Sequence, residues 1–166
     1  MSQYPVENIR TVALVGHGST GKTTLMEALL YRNGVIKEVG TIEKGNTVGD
    51  FDPMEKEVKH SLRTTVAHLN AQKDDGTPVR IFLLDTPGYP DCVGQALGAL
   101  DAVKTVCVVV DATKGIELMT RRMMHWAKER NLCRMIVVNK IDQPDVDLAK
   151  LVLDLREAFG NEVLPL

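Results

Sequence analysis

The sequence predicts an α/β fold, a mostly parallel sheet with helices on both faces and one antiparallel edge strand. Four short apolar runs point to it: Val12–Val15, Ile81–Leu84, Val106–Val110 and Met135–Val138. Each is rich in β-branched residues and apolar at successive positions, as strands buried on both faces of a parallel sheet are. Helix-periodic segments stand between these runs, and regular alternation of strand and helix is the mark of the α/β class. A fifth apolar segment, in His60–Leu69, can pair with Val79–Asp85 across the turn Asp74-Asp75-Gly76, which supplies the antiparallel edge.

The elements follow in order. After Val12–Val15, a helix is predicted over Thr23 to Asn33, where Asn33-Gly34 is a stop signal. Val35 to Lys59 is polar, carries Gly40, Gly45 and Gly49, and shows no clear period, so it reads as a long functional or mobile loop. Val93, Ala96, Leu97 and Leu100 share one face of a second helix, and Ile116, Met119, Met123 and Trp126 mark a third. Leu148, Leu151, Val152, Leu155 and Phe159 mark a fourth, stopped by Gly160. Met119, Met123 and Met124 at helical spacing read as packing, and Trp126 as half-buried. His68 and His125 read as surface or satisfied positions, and Lys128–Arg130 as a solvated face.

Composition sets bounds. The 166 residues suit one domain with a real core, and 44% hydrophobic with 25% charged residues is ordinary for a globular protein. A net charge of -2 gives no overall basic footprint for nucleic acid. Cys92, Cys107 and Cys133 are odd in number and form no C-x-x-C pair, which argues against a disulfide framework or zinc site and for reduced thiols, hence a cytoplasmic location. Met1 to Arg10 lacks the apolar core of a signal peptide, and no apolar run reaches membrane-spanning length, so no membrane partner is expected.

Three motifs carry chemistry. Gly16-His17-Gly18-Ser19-Thr20-Gly21-Lys22-Thr23 fits G-x-x-x-x-G-K-S/T between a strand and a helix, and Thr24 continues it. There the loop N–H groups and the helix N-terminus converge on one phosphate site, Lys22 would reach the β- and γ-phosphates, and the Thr23 hydroxyl would hold Mg²⁺. This makes the fold a P-loop NTPase fold. Asp85-Thr86-Pro87-Gly88 ends a strand, so Asp85 would hold Mg²⁺ through water, and Gly88 would offer its N–H to the γ-phosphate. Asn139-Lys140-Ile141-Asp142 ends another strand. The Asp142 carboxylate can accept two hydrogen bonds from the guanine edge, and adenine lacks those donors. Asn139 would bond the base or brace the phosphate loop, and the Lys140 stem would lie over the ring.

In this order and spacing the motifs resemble those of the translational GTPases, and most closely elongation factor G. The likeness runs through NIRTVALVGHGSTGKTTLMEALL, DFDPMEKEVKHSL, DTPGYPD, VVVDATKGIELMT and RMIVVNKID. It implies a multidomain protein that binds GTP and GDP with Mg²⁺, works on the ribosome, and couples hydrolysis to a conformational change. It also implies that Val35–Leu62 is switch I, that Ser61 stands where the family has its metal-ligating threonine, and that His17 is structural. Residues 1–166 then form a partial GTP-binding domain, expected to be monomeric, ending before an inserted subdomain, a Ser-Ala guanine loop, and a last strand and helix. Such a chain should leave part of the sheet edge exposed.

Four positions depart from the family's usual pattern. Tyr89 stands in place of the histidine that positions the attacking water, and Gly18 in place of an apolar residue. His60 stands in place of an apolar residue in switch I, and Ser19 in place of a phosphate-loop aspartate. A phenol, ionising at about pH 10, is a poor base at neutral pH but can orient water. The resemblance therefore implies a divergent paralogue of elongation factor G. Catalytic candidates are Lys22, Gly88 and Tyr89. Alternatives are a GTP-dependent switch with weak hydrolysis, a ribosome-protection or recycling paralogue, and a P-loop ATPase or kinase for which Asp142 is incidental.

Overall fold

A computed structural model describes residues 4–165. Strand β1 (Ile9–Gly16) leads through the glycine loop into helix α1 (Lys22–Arg32). A long connection containing the short helix α2 (Pro53–Val58) leads to β2 (Thr65–Gln72) and β3 (Pro78–Asp85). Then follow α3 (Val93–Asp101), β4 (Thr105–Asp111), α4 (Leu118–Glu129), β5 (Cys133–Asn139) and α5 (Leu148–Phe159). The sheet order is β2-β3-β1-β4-β5, parallel throughout except for the antiparallel pair β2 and β3. This is the expected α/β architecture with its one antiparallel edge.

Alternation along the strands divides the core in two. Val106, Val108 and Val110 of β4 join Ala13 and Val15 under α3 and α4, where Leu100, Met119 and Met123 are fully buried. Cys107 and Val109 point the other way, joining Leu14 under α1 with Met26 and Leu30. Period-two alternation sends neighbouring residues to opposite faces, so one apolar run builds both layers. Burying each such valine, leucine or methionine side chain contributes about 1.5–3 kcal/mol. The methionines of α4 are packing residues, as expected, and Trp126 is half-buried against the same cluster.

The structure corrects the sequence reading in a few places. The segment Val35–Lys59 is not wholly irregular, because α2 forms within it, opened by a capping box. The Asp52 side chain accepts the Met54 N–H, and the Glu55 side chain accepts the Asp52 N–H, across an Asp-Pro start. These partners satisfy N–H groups that a short helix would otherwise leave orphaned. The hairpin strand begins at Thr65, not His60, and pairs Thr65 with Asp85 through to Gln72 with Pro78. His60 and Ser61 instead line one pocket with Gly18, Ser19 and Gly21 of the glycine loop. Ile116 precedes α4, which begins at Leu118. Met135–Val138, read as buried on both faces, is only half-buried or exposed, because β5 has a neighbour on one side alone. Among the described residues, no helix is long and apolar enough to cross a membrane.

Candidate functional site

The parallel registers bring the strand C-termini to one edge of the sheet. Leu14 lies opposite Asp85, Gly16 opposite Val109, and Asp111 opposite Asn139. The three motifs leave from that edge, where α/β folds bind their ligands. Gly21, with φ 91°, caps α1, so the helix begins at Lys22 with its N–H groups facing the loop. Lys22 is buried, and its Nζ donates to the His17 carbonyl at 2.6 Å. Burial pushes the Lys22 pKa down to about 8, against the attraction of Asp85 and Glu117. The strand-end glycine Gly88 closes on the same point. A Cβ there would stand 2.5 Å from both the His17 carbonyl oxygen and Lys22 Nζ, so only glycine permits the approach. His17 joins this contact through its carbonyl alone, and its side chain faces Glu117 at 3.6 Å, in keeping with a structural role.

Oxygen ligands gather next to the loop. The Thr23 hydroxyl donates to Asp85 Oδ2 at 2.6 Å and lies 3.3 Å from the Ser61 hydroxyl. Ser61 in turn donates to Asp50 Oδ1 at 2.7 Å. Asp50 and Asp85 are both buried, and Asp85 Oδ1 has no hydrogen-bond partner. Burial pushes the Asp85 pKa up to about 6, opposed by the Thr23 hydrogen bond and Lys22, while the Asp50 charge raises it further. Two buried carboxylates, one of them with an orphaned oxygen, and two hydroxyls fit a hard divalent cation such as Mg²⁺. No cluster of three or more His, Cys, Asp or Glu side chains suited to a metal occurs among the described residues. A cation here would therefore depend on the hydroxyls.

The last motif is tied directly to the loop. Asn139 Nδ2 donates to the Thr20 carbonyl at 2.9 Å, and Lys140 Nζ donates to the Ser19 carbonyl at 2.8 Å. Of the two roles open to Asn139, the side chain makes the loop-bracing one. Lys140 also pairs with Asp111 Oδ2 at 2.6 Å. Burial opposes ionisation of Asp111, yet the hydrogen bonds from Lys140 and Thr113 outweigh it and hold its carboxyl below the usual range. Asp142 is exposed and, among the described residues, bonded only to the neighbouring Gln143 amide, leaving its carboxylate open to a ligand. In the glycine loop and the start of α1, Ser19 and Thr24 are exposed, whereas Thr20 is buried and donates to the His17 carbonyl.

The sequence matches the family described as elongation factor Tu GTP binding domain over residues 7–164. The chain belongs to that family. An elongation factor G-like protein of Mycobacterium tuberculosis (strain CDC 1551 / Oshkosh) is 35% identical over 158 residues, 95% of this chain and 21% of that protein. A mitochondrial ribosome-releasing factor 2 of Drosophila persimilis is 38% identical over 155 residues, 93% of this chain and 20% of that protein. The crystal structure of a protein from Thermus thermophilus matches with a TM-score of 0.83 and 45% identity, covering 92% of this chain and 22% of that one. The chain thus spans about a fifth of the length of these relatives. The expected GTP-binding domain of elongation factor G type is borne out.

Within this GTP-binding domain, four buried carboxylates escaped the sequence reading. Asp50 joins the oxygen cluster, and Asp111 orients Lys140. Glu27 of α1 accepts the N–H groups of Gly40 and Val48 at 2.9 and 2.6 Å. Glu55 of α2 accepts those of Leu62 and Arg63 at 2.9 and 3.0 Å. The last two pin the segment Val35–Leu62 in its first half and at its C-terminal end. Only Glu55 left a trace in the sequence, as the fourth residue of Asp-Pro-Met-Glu.

Proposed function

We propose that the chain is the GTP-binding and GTP-hydrolysing part of an elongation factor G-like protein, which couples hydrolysis to a conformational change on the ribosome, in the cytoplasm. The observation that carries this is the tie between the loop and the last motif. Asn139 and Lys140, about 120 residues downstream, bond the carbonyls of Thr20 and Ser19. Asp142 follows two residues after Lys140, so in this reading the same tie brings its turn to the phosphate loop. A guanine-reading carboxylate and a phosphate cradle serve a single ligand only if they are held together in this way.

In this reading Gly16–Thr24 wrap the phosphates, with Lys22 on the β- and γ-phosphates and the α1 N–H groups adding donors. Gly88 offers its N–H to the γ-phosphate, and Tyr89 stands beside it. Thr23 and Ser61 would ligate Mg²⁺ directly, with Asp85 and Asp50 acting on its waters. The ion would supply charge neutralisation on the β- and γ-oxygens. A cation and a polyphosphate would also give the Asp85 and Lys22 charges opposite charges to add to their neutral partners Thr23 and the His17 carbonyl. Asp142 accepts from the guanine edge, with the Lys140 stem over the ring.

The test is nucleotide preference in the intact protein. Asp142→Asn should weaken GDP binding by about 100-fold or more and leave ADP binding unchanged, because the swapped amide meets guanine donors with a donor. Equal loss for both nucleotides, or no preference for guanine in the wild type, would refute the assignment.

A further inference from the structure

His60 and Tyr89 meet at the mouth of the phosphate pocket, which both line together with Gly18, Lys22 and Gly88. Their ring centroids are 4.5 Å apart and their planes are inclined by 48°, within the range of favourable aromatic pairs. A Cβ on Gly18 would stand 2.9 Å from Tyr89 Cζ and 3.1 Å from each Cε atom. The phenol end of the ring thus takes the volume a side chain at position 18 would need. Gly18 and Tyr89 are a matched pair, and His60 is the third member.

The backbone delivers His60 to this place. Lys59 adopts the left-handed conformation, with φ 56°, and ends α2 by turning the chain inward. Such a conformation costs a residue with a Cβ about 1–2 kcal/mol, and the anchors on either side hold it. Ser61 is bonded to Asp50, and Leu62 and Arg63 to Glu55. His60 Nδ1 lies 3.3 Å from the Ser61 carbonyl oxygen. A carbonyl only accepts, so Nδ1 is the donor in this contact, and in the neutral imidazole Nε2 is then the acceptor. Among the described residues neither Nε2 nor the Tyr89 hydroxyl has a hydrogen-bond partner.

We propose that this ring pair positions the attacking water at the γ-phosphate, with His60 Nε2 accepting the water's hydrogen bond and Tyr89 fixing the plane of the imidazole. This rests on the GTP-hydrolysing function proposed above. The water oxygen bonds the γ-phosphorus as the bond to the bridging oxygen breaks. The electron pair leaves with GDP, the water's protons pass to phosphate and solvent, and both rings end in the state in which they began. Because His60 rides on the segment Val35–Leu62, water is positioned only while that segment is docked.

The experiment uses the intact protein with Mg²⁺, reading fluorescent GTP-analogue affinity and single-turnover GTP hydrolysis with and without ribosomes. His60→Phe keeps the ring contact and removes the nitrogen. It should lower the hydrolysis rate about 10- to 100-fold, the scale of a misplaced reactant, with affinity unchanged within about twofold. Gly18→Val displaces Tyr89 and should lower the rate similarly. Combined with His60→Ala, it should be no slower than either alone, since coupled residues are not additive. Tyr89→Phe keeps the stack and should lose less than about fivefold. A wild-type rate in His60→Phe, or a wild type that binds GTP and never hydrolyses it, overturns the inference and leaves guanine recognition standing. Failure of the wild type to bind GTP would instead remove the reading on which the inference rests.

Discussion

Replacing Glu27 by glutamine tests how the long segment between α1 and β2 is held. The Glu27 carboxylate is fully buried on the rigid α1 and accepts the N–H groups of Gly40 and Val48. Glutamine keeps the volume but offers one acceptor oxygen, so its NH₂ must face one of the two N–H donors. A hydrogen bond to a charged acceptor contributes about 1.5–3 kcal/mol, and an unsatisfied buried donor costs a similar amount. Glu27→Gln should therefore ease local opening by about 1.5–3 kcal/mol, which is about 10- to 140-fold in the opening equilibrium. Hydrogen exchange read on peptides over residues 36–52 measures this directly. Protection there should fall by that factor, while β1 and β4 keep theirs, because local openings lie below the global unfolding free energy. The reasoning fails if protection falls equally in β4, which would make Glu27 a support of the whole core, or if 36–52 exchanges as before.

Two further outcomes follow from the titrating groups. Asp111 ionises below its usual range in the fold, so its contribution is fully present above the unfolded carboxyl value of about 4 and is lost as pH falls through the folded value. Asp111→Asn should cost about 1–3 kcal/mol in urea unfolding at pH 7, and the two stability curves should converge on acidification below pH about 4; a gap that persists at low pH would refute the charge-based account. Burial pushes the Cys107 thiol up to about 11, and the side chain is inaccessible, whereas Cys133 is exposed. At pH 8 iodoacetamide should label Cys133 readily and Cys107 only on unfolding. Native labelling of Cys107, followed by mass spectrometry, would contradict the packing of β4.

The sequence by itself determined the sheet, its helices and the three ligand-facing turns. Those features depend on spacing a few residues long: β-branched runs, 3.6-residue periods, and glycines where the backbone must approach a ligand. Asp85 and Asp142 were legible in their motifs, whereas tertiary structure alone decided the roles of Glu27, Asp50 and Asp111. Asp50 and Asp111 lie 11 and 29 residues from the side chains they bind, and Glu27 up to 21 residues from the N–H groups it holds. In sequence each is indistinguishable from a solvated acid. It also decided the joint meaning of Gly18, His60 and Tyr89. As separate positions they are three departures from the family's usual pattern. In space a missing Cβ leaves room for a ring, and a strained lysine turns a second ring against it. Short-range stereochemistry is written locally in the chain, whereas burial and partner choice exist only once remote segments share a volume.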